Sequence, residues 1–136
     1  MTAPIVVDAS VAGTWALPDE DDALATAVPH RVATDDGVVP ALFATEIRNV
    51  LLMAERRERT SPPATDAFLT DLSHLPIEID ATGKPDLVLG LARHHRLSFY
   101  DAVYPELARR RSLELATLDH ALAAVAQAEG LTVLAG

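Results

Sequence analysis

Five short apolar runs constrain this chain more than anything else in it. They cover residues 5–7, 38–39, 75–79, 113–116 and 131–134. Each is too short for a buried helix, and each reads as a strand. The first, Ile5-Val6-Val7, is β-branched throughout, as a strand buried on both faces should be. Helical stretches separate them, over residues 10–17, about 20–33, 41–59, 61–73, 84–95, 99–110 and 119–129. Ser10 is placed to cap the first helix, with Asp8 as the alternative cap. Pro18 and the acidic residues 19–22 close that helix, and Pro29 predicts a break near the end of the next. Asp35-Asp36-Gly37 is a turn. Pro40 is placed to open the third helix, where its missing N–H costs nothing. Ser61-Pro62-Pro63 starts the fourth. Strands alternating with helices predict an α/β fold, with a mostly parallel sheet covered by helices on both faces. No repeat, linker or low-complexity segment interrupts residues 1–136, so a single domain is expected.

Composition then limits the chemistry. A chain of 136 residues, 49% apolar, is long enough to bury a real core. It has no cysteine, hence no disulfide, no thiolate nucleophile and no Cys-based zinc site. That suits a reducing compartment. MTAPIVVDAS lacks the basic start and long apolar run of a signal peptide, and no apolar stretch approaches a membrane span. The expected location is cytoplasmic, with no membrane partner. A net charge of −9 argues against binding nucleic acid through bulk charge. The basic residues are nonetheless clustered: Arg56, Arg57 and Arg59; Arg93 and Arg96 around His94-His95; and Arg109, Arg110 and Arg111. Each cluster is readable as a local basic rim or as an ordinary solvated helix face.

Of the 20 acidic residues, most lie in loops or among arginines, but four do not. Asp8 ends the apolar run IVVD. Glu46 stands in ALFATEIRNVLL, where Leu42, Phe43, Asn49 and Val50 share its helix face. Asp101 lies inside LSFYDAVY, and Asp119 follows the strand LELAT. Three have structural alternatives: Asp8 and Asp119 as helix caps, and Asp101 as the acid of the S-x-x-D start Ser98-Phe-Tyr-Asp101. Glu46 has the weakest structural excuse. Ligands of open α/β sheets bind at the carboxyl ends of the strands, and all four acids are expected at that edge. Carboxylates gathered in one cleft repel one another unless cations neutralise them. Oxygen ligands without Cys or a spaced His pair select hard ions, Mg²⁺ or Mn²⁺. Two divalent ions would balance four carboxylates, and such pairs serve phosphodiester cleavage.

In these residues the chain resembles the PIN-domain family, and within it the VapC-type toxins of toxin–antitoxin pairs. The resemblance rests on IVVDAS, VPALFATEIRNVL, LSFYDAVYPELA and LATLDHAL, in that order and spacing, across nearly the whole chain. It implies a three-layer α/β/α fold around a central, mostly parallel sheet. It implies a metal-dependent endoribonuclease whose four acidic positions are Asp8, Glu46, Asp101 and Asp119, both as catalytic residues and as ligands of Mg²⁺ or Mn²⁺. Ser10, Thr117 and Asn49 take the family's supporting polar positions, orienting ligands or phosphate. RNA as substrate, a cognate protein antitoxin over the cleft and a homodimer are expected with it. Two departures stand out. Pro105 lies inside the helix of Asp101 and removes the bond to that residue's own carbonyl, so a kink is expected there. His120 and Ala121 follow Asp119, where some relatives carry a further acid. His120 itself reads as an exposed structural residue, and Trp15 as core or dimer packing. Two other readings remain open from sequence: a phosphohydrolase acting on small substrates with the same metal site, and a non-catalytic protein-binding module.

Overall fold

A computed structural model describes residues 3–17 and 23–135. Along them run β1 (Ile5–Val7), α1 (Ala9–Trp15), α2 (Ala23–Asp35), β2 (Gly37–Pro40), α3 (Phe43–Arg56), α4 (Pro62–Ser73), β3 (Ile77–Asp80), α5 (Pro85–His95), α6 (Phe99–Arg111), β4 (Glu114–Thr117), α7 (His120–Ala128) and β5 (Val133–Ala135). Pro18 and the acidic residues 19–22 lie outside the described residues.

The five strands form one sheet in the order β3-β2-β1-β4-β5, and every pair is parallel. Side chains alternate across it with period two. Ile5 and Val7 enter one core with Val11, Val28, Val32, Phe43, Ile47 and Leu51. Val6 enters the other, with Tyr104, Leu107, Leu115 and Leu122. Helices α1 to α3 cover the first face, joined by α4 through the half-buried Phe68, Leu69 and Leu72. Helices α6 and α7 cover the second, and α5 lies on α6 through Val88, Leu91, Ala92 and Ala102. The architecture is a three-layer α/β/α sandwich around a parallel sheet.

Strand order decides where a site can form. From β1 the chain builds outward to β2 and β3, then returns to place β4 on the other side of β1. The helix after β1 packs on one face and the helix after β4 on the other. The two connections diverge and leave a crevice at the carboxyl edge between β1 and β4. Close packing of α1 on α3 adjoins it. A Cβ built on Gly13 would lie 2.8 Å from Val50 Cγ1, so any larger residue would force Val50 or the helices to shift.

Three sequence expectations need correction. Pro40 does not open α3. It ends β2, and α3 begins at Phe43 after a turn. Strand β1 pairs with β2 only at Gly37 and Val38, so Pro40 lies beyond that ladder, where a missing N–H is tolerated. Nor does Pro29 break α2, which continues to Asp35. Val28 and Val32 are wholly buried on either side of it, and this packing outweighs the lost helical bond. Finally, α1 is capped by Asp8 and not by Ser10.

Candidate functional site

Asp8 leaves β1 and turns the chain into α1, so its carboxylate sits at the floor of the crevice. It is only 8% exposed. Ser10 N–H donates to Oδ1 at 3.3 Å, and the Ser10 hydroxyl to Oδ2 at 2.9 Å. The wholly buried Thr117, last residue of β4, donates its hydroxyl to Oδ2 at 2.7 Å. These three donors answer the cost of removing a carboxylate from water. Both hydroxyls also accept bonds, Ser10 Oγ from Leu118 N–H at 3.2 Å and Thr117 Oγ1 from Asp119 N–H at 3.0 Å. The ends of β1 and β4 are thus laced together around Asp8.

The other three acids stand on the walls. Asp119 is the N-cap of α7, its Oδ1 accepting from the N–H groups of Ala121 and Leu122 at 2.9 and 3.1 Å. Asp101 is in the first turn of α6, its N–H capped by the Ser98 hydroxyl at 3.1 Å. The S-x-x-D start therefore forms. Glu46 is half-buried in the first turn of α3, beside the buried line of Phe43, Ile47 and Leu51. Tyr104, 1% exposed, donates its hydroxyl to Glu46 Oε1 at 2.5 Å. The Ala9 backbone N–H faces the Tyr104 oxygen.

The four charges share one field. Burial raises the pKa of Glu46, opposed by the Tyr104 hydrogen bond, and repulsion from Asp8 and Asp101 adds to the rise. Burial likewise raises Asp101, opposed by Ser98 and reinforced by Asp119 and Asp8. Burial and the Glu46 contact push the Tyr104 hydroxyl far above its usual pKa, so it stays a donor. An oxygen-only donor set with this mutual repulsion fits a hard divalent cation. As the side chains stand, no three acidic or histidine groups among the described residues are close enough to grip one ion.

The remaining sequence candidates are placed less centrally. Asn49 is exposed on α3, one turn beyond Glu46, and makes no side-chain hydrogen bond with the described residues. His120 is exposed at the start of α7. His95 is engaged with Glu129 at 2.7 Å, with His94 edge-on to its ring. Trp15 packs against the first core. Pro105 is buried within α6, which runs unbroken to Arg111 with Asp101 still in the field of its neighbours. In the triplet of arginines at the end of α6, Arg110 and Arg111 are drawn into ion pairs while Arg109 stays exposed. Arg110 holds Glu106 at 2.9 Å and Asp80 at 3.1 Å, Arg111 holds Glu78 at 2.7 Å, and Arg109 holds Glu129 at 3.0 Å. Tyr104 was missed as a site residue. Its spacing of three from Asp101 was the available signal, but in LSFYDAVY it reads as apolar packing.

Comparison with solved structures returns the same architecture. PAE2754 from Pyrobaculum aerophilum is 24% identical, with a TM-score of 0.75 over 98% of this chain and 90% of that one. FitAcB from Neisseria gonorrhoeae is 17% identical, with a TM-score of 0.58 over 96% of both chains. The Mycobacterium tuberculosis toxin VapC20, described as cleaving the Sarcin-Ricin loop, is 17% identical, with a TM-score of 0.60 over 88% of this chain and 93% of that one. At these identities the likeness is one of fold. No curated protein sequence matches the chain. The PIN domain family model, however, matches residues 5–134, and with the parallel sheet and the acidic crevice already in place, the chain belongs to the PIN-domain family.

Proposed function

We propose that this protein is a divalent-metal-dependent endoribonuclease and the toxin of a toxin–antitoxin pair. The observation that carries the reading is the shared field of Asp8, Glu46, Asp101 and Asp119 at the carboxyl edge of the sheet. Four acids crowded so that Asp8, Asp101 and Asp119 repel the charge on Glu46 or Asp101 are a poor arrangement for stability alone and a good one for a cation. VapC20, a Sarcin-Ricin loop cleaving toxin, shares the fold and supports the reading. The protein antitoxin expected over the crevice, and a homodimer, belong to the same reading.

In this mechanism Asp8 is the fixed ligand, held from three directions by Ser10 and Thr117. Those two hydroxyls orient the carboxylate, as groups behind a metal ligand commonly do. Glu46, Asp101 and Asp119 supply the other carboxylates from separate helices. When bound, Mg²⁺ or Mn²⁺ would polarise a phosphodiester and lower the pKa of the attacking water. One of the carboxylates accepts the proton that water gives up. Asn49, exposed beside Glu46, is free to meet a phosphate or base.

The test is cleavage of total cellular RNA by the purified chain, freed of co-purifying partner, with Mg²⁺, with Mn²⁺ and with chelator. Discrete fragments are expected with the ions and none with chelator. Asp8→Asn keeps the helix cap through its amide oxygen but sets its NH2 against the Ser10 and Thr117 hydroxyls, and it should remove cleavage by at least about a hundredfold, read beside a circular-dichroism spectrum that checks the fold. A folded, ion-loaded protein that cuts no RNA would refute the nuclease and favour a partner-binding module.

A further inference from the structure

We infer that Tyr104 is the positioning residue of the acidic site: its buried hydroxyl fixes Glu46 against the start of α1 so that the carboxylate is held ready for a divalent ion. This rests on the metal-dependent reading above.

The geometry is directional. A phenol hydroxyl has one hydrogen and an oxygen that accepts. The oxygen faces the Ala9 N–H, one of the donors that an α-helix leaves unpaired in its first turn. The hydrogen goes to Glu46 Oε1 at 2.5 Å, a short bond of the kind made to a charged acceptor. One carboxylate oxygen of Glu46 is thereby occupied, its rotamer is set, and its other oxygen is left for a ligand. The same contact reaches three of the four acids. Tyr104 lies one turn after Asp101 on α6, Ala9 adjoins Asp8, and Glu46 is bonded directly. Tyr104 therefore links α1, α3 and α6 where each presents a carboxylate. Packing alone does not call for it, because phenylalanine would fill the same buried volume without burying a hydroxyl.

The experiment measures Mn²⁺ binding by titration calorimetry, with no substrate present, on the full chain, Tyr104→Phe, Glu46→Gln and the double variant. Tyr104→Phe should weaken Mn²⁺ binding about tenfold to a hundredfold, the range for losing the hydrogen bond behind a metal ligand. In the Glu46→Gln background it should cost less than about threefold, because the carboxylate it positions is already gone. Equal losses in both backgrounds, or no loss at all, would overturn the inference while leaving the metal site intact. An unaltered chain that binds no Mn²⁺ would overturn this inference and the nuclease reading together. Should Tyr104→Phe fail to fold, proton NMR of the unaltered chain decides the same question. The Tyr104 hydroxyl resonance should move on adding Mg²⁺, and one that stays still while other site resonances shift would rule out the contact as a positioning device.

Discussion

Asp8 and Asp119 each do two jobs with one side chain. Each caps a helix through backbone N–H groups, and each contributes charge to the crevice. Asp101 differs, since its helix is capped by Ser98, and burial and the field of its neighbours outweigh the Ser98 contact at its carboxylate. Asp101→Asn should therefore raise the melting temperature of the metal-free protein by about 2–4 °C, from roughly 1 kcal/mol of relieved repulsion. The same change should shrink the upward shift that Mg²⁺ produces. Thermal melts with chelator and with Mg²⁺ check both, and unchanged curves in both conditions would count against a shared site. At this scale the sequence was legible where a contact is local. Ser98 and Asp101 are three residues apart, so their bond is written in S-x-x-D. Tyr104 and Glu46 are 58 residues apart, and no short pattern announces that a hydroxyl inside an apolar helix has a carboxylate waiting for it.

Among the elements, α6 carries the most. Its N-terminus presents Asp101, its middle bonds Glu46, and its last turn ties down the sheet's edge strand β3 through Arg110 and Arg111. Burial alone would raise the Asp80 pKa, but hydrogen bonds from Thr82 and Arg110 outweigh it and hold the carboxyl well below the usual range. Arg110→Ala would leave Glu106, 3% exposed, without its cation and with only the Lys84 N–H, while Asp80 keeps Thr82 and Arg111. The substitution should cost about 3 kcal/mol, as removal of one partner from a buried ion pair does. Faster amide exchange should then appear first across residues 77–80. The sequence showed this helix but not its fastenings, because Asp80 is 30 residues from Arg110 and lies on a strand with little apolar signal. The prolines misled for a related reason. Local rules place Pro29 at a break and Pro40 at a helix start, and only the burial of Val28 and Val32, or the point where β1 stops pairing with β2, shows otherwise. β1 and β2 were legible because strands buried on both faces stay apolar throughout, and β3 showed through the alternating isoleucines of IEID.

For the whole molecule, opposing groups of acids shape the response to pH. Glu46 and Asp101 titrate above their ordinary range in the folded chain, so folding favours their protonated forms. The cost of burying these charges, with the repulsion added to it, is fully felt at neutral pH and is relieved as pH falls towards about 4. Asp80 and Glu129 are held low, Glu129 chiefly by its hydrogen bond from His95. Their stabilisation is complete above the ordinary carboxylate range and is lost as pH drops below about 4. The melting temperature of the metal-free protein should therefore rise on mild acidification and then fall. With saturating Mg²⁺ the first limb should invert, because protonating the ligands releases the ion. The strand order has a consequence for how the protein is made. Asp8 is bonded by Thr117, 109 residues away, and Ser10 by Leu118, 108 residues away. Synthesis runs from the N-terminus, so β1, β2 and β3 all precede β4. A nascent chain can build that half of the sheet and still lack the threonine that holds Asp8. The crevice closes only when β4 slides in beside β1, so a ribosome-bound fragment ending before residue 117 carries an unfinished site.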